Sequence, residues 1–386
     1  MEAAELFEKL EPKTEGQARL KEALEGDKDL VGVFGPTGTG KSLFSLSYGV
    51  SAVVKGDYHR LIVARPVIDV ATGRELTVLS DPESYRKHAM EYIVDILGPI
   101  LGEATIENLV KEKKLVLIDP HLLRGRTFDN SVILLDDVQN TPPESVIEII
   151  TRLGKNSRLI IAGDPVFQRD TGSHGAVIAR EILLGEETAD VVDLGLKDIV
   201  RPGAKRGIRL LLELIVRRRE LSEVERRIFE TARTHAPDAD IITVVNLVDL
   251  KKKWEIESEH VPDAIIVVKE SHLGRLIGRE GERITAIEED VEMKLRAVPL
   301  TLDFKEYIRA FHPVSWIHKH VLDSDFAGPE LRLVVARGQL GPMLGQRGAY
   351  IKFVDEVFRR LFGFGVYVIE AEEKTPRKRQ SRRRRG

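Results

Sequence analysis

Cysteine is absent from the 386 residues, which excludes disulfides and thiolate metal centres and suits a reducing compartment. No apolar run approaches the roughly eighteen residues that a membrane span requires. The segment Met1–Leu10 is acidic rather than basic-then-apolar, so no export leader is expected, and the reading is a cytoplasmic chain without a membrane partner. Charge of one sign is also lacking overall, with 62 acidic against 59 basic residues and a net charge of -3. The balance is uneven, because Lys374–Arg385 carries eight Lys or Arg and no acid, leaving about -11 for the rest. A mostly acidic body does not hold phosphates uniformly, so nucleic acid is expected only at local loops and at this tail, which reads as disordered.

What the chain does contain is a strong alternation of element types. Leu30–Phe34, Leu61–Ala64, Leu115–Ile118, Val132–Leu135, Leu159–Ala162 and Val191–Leu194 are short runs rich in Val, Ile and Leu, separated by stretches with helical spacing. Near-continuous apolar strands alternating with helices predict an α/β domain whose parallel sheet is covered on both faces. Between Ile208 and Ala236 the pattern becomes helical, and Ser222 with Glu225 three residues on predicts a capping box opening a second helix. From Ala264 a unit recurs: AIIVV, a helix, IGREGERI, a helix and LRAVPL are followed by LRLVVA, a helix, LGQRGAYI, a helix and VYVIEA. The expected organisation is a P-loop core over 1–202, a helical connector over 203–262, small α+β units at 263–327 and 328–372, and the basic tail 373–386.

Gly35, Pro36, Thr37, Gly38, Thr39, Gly40, Lys41 and Ser42 spell G-x4-G-K-S between an apolar strand and a helical pattern. Glycines there let backbone N–H groups turn in around phosphate oxygens, while Lys41 reaches the β and γ phosphates and Ser42 offers an oxygen to magnesium. VILLDDVQN delivers Asp136 and Asp137 at a strand end, where ligands bind in parallel sheets. Asp136 is expected to orient the magnesium water shell and Asp137 to polarise the attacking water. Helix capping is the bland alternative for such a pair. Arg126 and Arg201 are candidate phosphate arginines, although Arg201 has an alternative as a surface ion pair with Asp198. The histidines of WIHKH, Trp316–His320, are two residues apart, a spacing that suits neither one helical face nor a structural zinc site.

The order of these segments resembles the PhoH-like ATPases, which share the core of superfamily one helicases. PKTEGQ at Pro12–Gln17, ARPV at Ala64–Val67, RGRTFDNSVILLDDVQNTPPE at Arg124–Glu144, TRLGKNSRLIIAGD ending at Asp164, and DIVRP ending at Pro202 carry the likeness over about residues 10–202. It implies that Gln17 contacts adenine, that Gln168 senses the γ-phosphate, and that the chain forms a homo-oligomer, with a ring as one arrangement. Two departures stand out: the family has Glu where this chain has Asp137, and Gly163-Asp164 is followed by Pro165, Val166, Phe167 and only then Gln168.

The repeated loops Gly278-Arg279-Glu280-Gly281 and Gly345-Gln346-Arg347-Gly348 fit the KH signature, and the second unit resembles the KH modules of the elongation factor NusA. Such loops bring backbone close to nucleotides. Arg347 makes the second the stronger expected binder, since Glu280 repels phosphate. The combined expectation is an ATP- and magnesium-dependent ATPase coupled to single-stranded RNA, with single-stranded DNA as a further ligand. The rivals are an RNA-binding module with a slow nucleotide switch and a small-metabolite P-loop kinase.

Overall fold

The computed structural model describes residues 2–69, 75–122, 127–168 and 174–372. They divide into two compact units, one of the residues up to Leu212 with Asp325–Glu330, the other of Glu213–Ser324 and the residues from Leu331. Arg126 and the tail from Glu373 lie outside the described residues. No helix among those described is long and apolar enough to cross a membrane.

The first unit is built on β1 (Leu30–Phe34), β2 (Arg60–Ala64), β5 (Leu115–Ile118), β6 (Ser131–Leu135), β7 (Arg158–Gly163) and β8 (Ala189–Asp193); β3 (Val67–Ile68) and β4 (Glu75–Leu76) form a small separate ladder. The six strands run in the order β5-β2-β6-β7-β1-β8, and every pairing is parallel. Successive side chains of a strand point to opposite faces, so Val31 and Val33 join one core with Leu24, Phe44 and Leu97. Leu30 and Phe34 join the other with Ile149, Ala176 and Leu183. Helices Glu15–Glu25, Lys41–Lys55 and Pro82–Leu101 cover the first face, and Pro143–Ile150 and Gly175–Leu184 cover the second. This two-sided cover is the reason the strands read as unbroken apolar runs.

The second unit holds two small mixed sheets. In one, β10 (Ala264–Val268) pairs antiparallel with β9 (Ile241–Asn246) and parallel with β11 (Leu295–Pro299). In the other, β13 (Glu330–Val335) lies between β12 (Val321–Ala327) and β14 (Val366–Glu370) and runs parallel to the latter. Ser222 and Glu225 cap the helix Glu223–His235 reciprocally, as their spacing predicts. This helix packs Ile228 and Ala232 against Val244 and Ile266. The segment read as a helical connector therefore contributes a strand and a helix to the first small sheet. The polar stretch Lys251–Asp263 separates β9 from its antiparallel partner and hides the pairing from a local reading.

One buried cation holds the entry to the large sheet. Arg158 at the start of β7 donates to the carbonyls of Leu24 (2.6 Å), Lys28 (2.7 Å) and Gly26, and to the Tyr48 hydroxyl (2.7 Å). It thereby closes the loop between helix Glu15–Glu25 and β1. Arg158→Ala strands these carbonyls and is expected to lower the unfolding free energy by about 2–4 kcal/mol, measured by urea denaturation. A loss below about 0.5 kcal/mol, the range of ordinary surface substitutions, would mean that the loop holds itself.

Candidate functional site

The four adjacent central strands β2, β6, β7 and β1 each end in a residue with chemistry. Arg65 follows Ala64, Asp136 follows Leu135, Asp164 follows Gly163, and the loop Gly35–Ser42 follows Phe34. The registers Ala64↔Leu135 and Phe34↔Gly163 bring these ends side by side. The middles of these buried strands are apolar, and the polar groups that follow them gather at this carboxyl edge.

Gly40 caps the helix Lys41–Lys55 with φ 98°, a left-handed value, and a Cβ there would come 3.1 Å from the Gln17 side chain. The unpaired N–H groups of that helix start face the loop. Lys41 donates to the carbonyls of Gly35 (2.7 Å) and Pro36 (2.9 Å), and Thr39 Oγ1 donates to Pro36 (2.9 Å). Burial holds the Lys41 pKa below the usual lysine value, against the pull of the Asp164, Asp136 and Asp137 carboxylates. The backbone N–H groups of Val200 and Arg201 donate to the Gly38 carbonyl, tying the loop to the far end of the unit.

Asp136 is buried, accepts from the Tyr92 hydroxyl, is hydrogen-bonded to Ser42, and caps the N–H of Asp137 (2.9 Å). Burial, then the neighbouring Asp137 carboxylate, raises its pKa. Asp137 adopts left-handed backbone angles (φ 53°, ψ 41°). Its Oδ2 accepts from Arg65 Nε at 2.7 Å and Nη2 at 2.6 Å, and the Arg65 guanidinium lies 4.1 Å over the Tyr92 ring. Burial opposes the charge on Arg65, but Asp137, Tyr92 and Asp136 together hold its pKa above the usual arginine value. Asp164 accepts from the N–H groups of Val166 (3.0 Å) and Phe167 (2.8 Å), while its Oδ2 is buried with no hydrogen-bond partner among the described residues. Burial raises this pKa as well, against Lys41. Gln139 joins the two carboxylate strands, accepting from Asp164 N–H (3.1 Å) and donating to Asp137 Oδ1 (3.3 Å) and to Gln168.

A cavity of about 520 Å³ opens here, lined by Thr37, Gly38, Gly40, Lys41 and Ser42 of the loop and by Arg65, Tyr92, Asp137, Gln168 and Arg201. The sequence reading anticipated most of this wall. It missed Arg65, Tyr92, Gln139 and the orphaned Asp164 oxygen. The position of Arg65 directly after a central strand was a usable signal; Tyr92, within a long helix, offered none. Gln17 is 2% exposed, with its amide donating to Thr39 O (2.8 Å) and accepting from Lys13 N–H (2.8 Å). It braces the loop from behind, and these two bonds use one of its two amide N–H groups and one lone pair of its oxygen. Asp198 accepts from the N–H groups of Gly16 (3.1 Å) and Gly195 (2.9 Å), so backbone donors occupy the carboxylate considered as a partner for Arg201.

The joined oxygens of Ser42 and Asp136 suit a hard cation. Among the described residues no cluster of three or more His, Asp or Glu side chains could hold a metal ion. An ion bound here would complete its shell with water and phosphate oxygens, the habit of magnesium.

In the second unit the two GxxG loops share one backbone shape. Gly278, Glu280 and Gly281 have φ/ψ of 78/179°, 54/18° and 86/7°; Gly345, Arg347 and Gly348 have 70/178°, 51/22° and 74/20°. Each loop joins a five-residue helix, Leu273–Ile277 or Leu340–Leu344, to a longer one. Arg279, Glu280, Gln346 and Arg347 are exposed at the loop tips. A Cβ on Gly345 would meet the Tyr350 ring at 2.4 Å, so this glycine is required by close approach as well as by its φ.

Residues 9–213 match the sequence pattern of the PhoH-like protein family. The chain belongs to this family. Residues 241–306 match a KH domain, which begins at β9 and takes in the first GxxG loop. The PhoH-like protein of Bacillus subtilis is 32% identical over 195 residues, covering 49% of this chain and 59% of that protein. Protein PhoH of Escherichia coli is 28% identical over 194 residues, covering 49% and 54%. The match thus spans little more than half the length of these PhoH-like relatives. Among solved structures, AMPPCP-bound DnaA from Aquifex aeolicus aligns at 18% identity over 56% of each chain with a TM-score of 0.25, too loose to bear on function.

Lys41→Ala removes a cation that, among the described residues, donates to the carbonyls of its own loop. The variant is expected to keep the wild-type denaturation midpoint while losing nucleotide affinity by about tenfold or more, read by titration with a fluorescent ATP analogue. Wild-type affinity would overturn the assignment of the loop.

Proposed function

We propose that this PhoH-like chain binds ATP with magnesium, hydrolyses it, and couples the cycle to single-stranded RNA held by its two GxxG loops. The observation that carries the proposal is the convergence of the phosphate loop, Asp137 and two arginines on one cavity at the carboxyl edge of the sheet, with Asp136 buried behind its wall and bonded to Tyr92. Lys41 neutralises charge on the β and γ phosphates, and the loop N–H groups orient them. Ser42 and Asp136 would hold magnesium, which supplies charge neutralisation at the phosphates. Asp137 orients the water that attacks the γ-phosphorus and takes up its proton, and Gln168, fixed by Gln139, borders the same space. Arg201 lines the cavity of its own chain, which supports action in cis; a homo-oligomer or ring remains part of the proposal through the family resemblance.

The rival reading, a slow nucleotide switch on an RNA-binding module, is favoured by one observation. The Asp137 carboxylate is engaged by Arg65, and an engaged carboxylate is a poor base. ATP turnover with and without single-stranded RNA separates the two. A rate that stays below about one per minute under both conditions, far under the usual enzyme range, would favour the switch.

For the RNA loops, like-charge repulsion gives a comparison. Replacing both Gln346 and Arg347 with Asp is expected to weaken binding of a single-stranded RNA by about tenfold or more, and the same change at Arg279 and Glu280 by less, because an acid already stands there. Fluorescence anisotropy measures both. Unchanged affinity in the folded Gln346/Arg347 variant would remove the second loop from the interface.

A further inference from the structure

Among the described residues, Arg65 is the cation of the cavity wall bonded to the carboxylate proposed to activate water. Its guanidinium lies over the Tyr92 ring, whose hydroxyl is bonded to Asp136, so it rests on the same side chain that holds the carboxylate proposed for magnesium. The Arg65–Asp137 pair is partly exposed, with side chains 28% and 22% accessible, and it opens onto the cavity shared with Lys41 and Thr37. The half-buried guanidinium needs an anion beside it, and because the pair opens onto the cavity another anion can take the place of Asp137 there. A terminal phosphate carries more charge than a carboxylate and offers several oxygens to a planar guanidinium.

We infer that Arg65 is the γ-phosphate reader of this site and that Asp137 is its stand-in ligand. Arriving γ-phosphate oxygens take the guanidinium from Asp137, and the carboxylate so released is the base. The inference rests on the nucleotide reading above and adds the order of events. The freed Asp137 accepts a proton from water as the water oxygen bonds to the γ-phosphorus. The bond from that phosphorus to the β–γ bridging oxygen breaks, and its electron pair leaves with ADP. Inorganic phosphate and the proton on Asp137 complete the balance. ADP has no γ-phosphate to displace Asp137, so the pair persists with ADP and the base stays masked. The device therefore discriminates ATP from ADP and blocks proton uptake until the correct nucleotide is seated.

The test uses the full chain and reads affinity for ATP and ADP separately, with single-turnover rates. Arg65→Ala is expected to leave ADP affinity within about twofold and to lower the ATP-over-ADP preference by about tenfold. Arg65→Lys, which keeps charge without the planar fork, should recover part of the preference. Asp137→Asn supplies the sign that a merely structural pair would not give. Removing the competitor should tighten ATP by about threefold or more without tightening ADP, while hydrolysis falls by about a hundredfold. An unchanged ATP-over-ADP ratio in Arg65→Ala, or weaker ATP binding in a folded Asp137→Asn protein, overturns the exchange. Failure of the underlying reading looks different: wild-type protein and Lys41→Ala would then bind both nucleotides equally poorly, which overturns both proposals.

Discussion

Covering a parallel sheet on both faces leaves the middles of its central strands no room for polar side chains. The backbone of the inner strands is paired on both sides, and most of their side chains are packed into one of two cores. Charge is admitted only where strands end. Four adjacent strands end at one edge, and the loop, the carboxylates and Arg65 are there because they have nowhere else to be. The position of the cavity follows from this packing constraint more than from any single residue.

Crowding charge at that edge has electrostatic consequences. Asp136 and Asp164 are pushed toward protonation by burial, and Lys41 toward neutrality by the same cause. All three shift away from the charged forms that phosphate chemistry uses, because each charge has left water with incomplete compensation. The bonds observed are local accommodations: Lys41 turns to its own loop carbonyls, Arg65 to Asp137, and Tyr92 to Asp136. An incoming anion and a hard cation would supply the partners that these accommodations replace, and sites that bind tightly often carry such stored cost.

The second unit uses a backbone device twice. Matching dihedral angles at the two GxxG loops make them one structure written with different side chains. What differs is the surface: Arg and Glu at one tip, Gln and Arg at the other, with Arg283 beneath the first glycine and Tyr350 beneath the second. A shared backbone shape thus carries unlike charge at its two tips within one unit.

The sequence alone determined whatever is encoded within a few neighbouring residues. Apolar runs marked the six strands of the large sheet to within about two residues, the glycine spacing marked the phosphate loop, and Ser222 with Glu225 marked a helix start. The paired GxxG frames marked two loops of the same backbone shape. Tertiary structure decided which distant groups meet. Arg65 reaches Asp137 only because β2 lies beside β6 in a sheet whose order is not the chain order. Tyr92 reaches Asp136 from a helix 44 residues away, and Gln17 braces Thr39 of the phosphate loop from 22 residues upstream. β9 joined the KH domain across a polar stretch that carried no pairing signal. Local conformation is set by sterics and periodicity along the chain, whereas partnership between side chains is set by strand order and packing, which no short stretch of sequence contains.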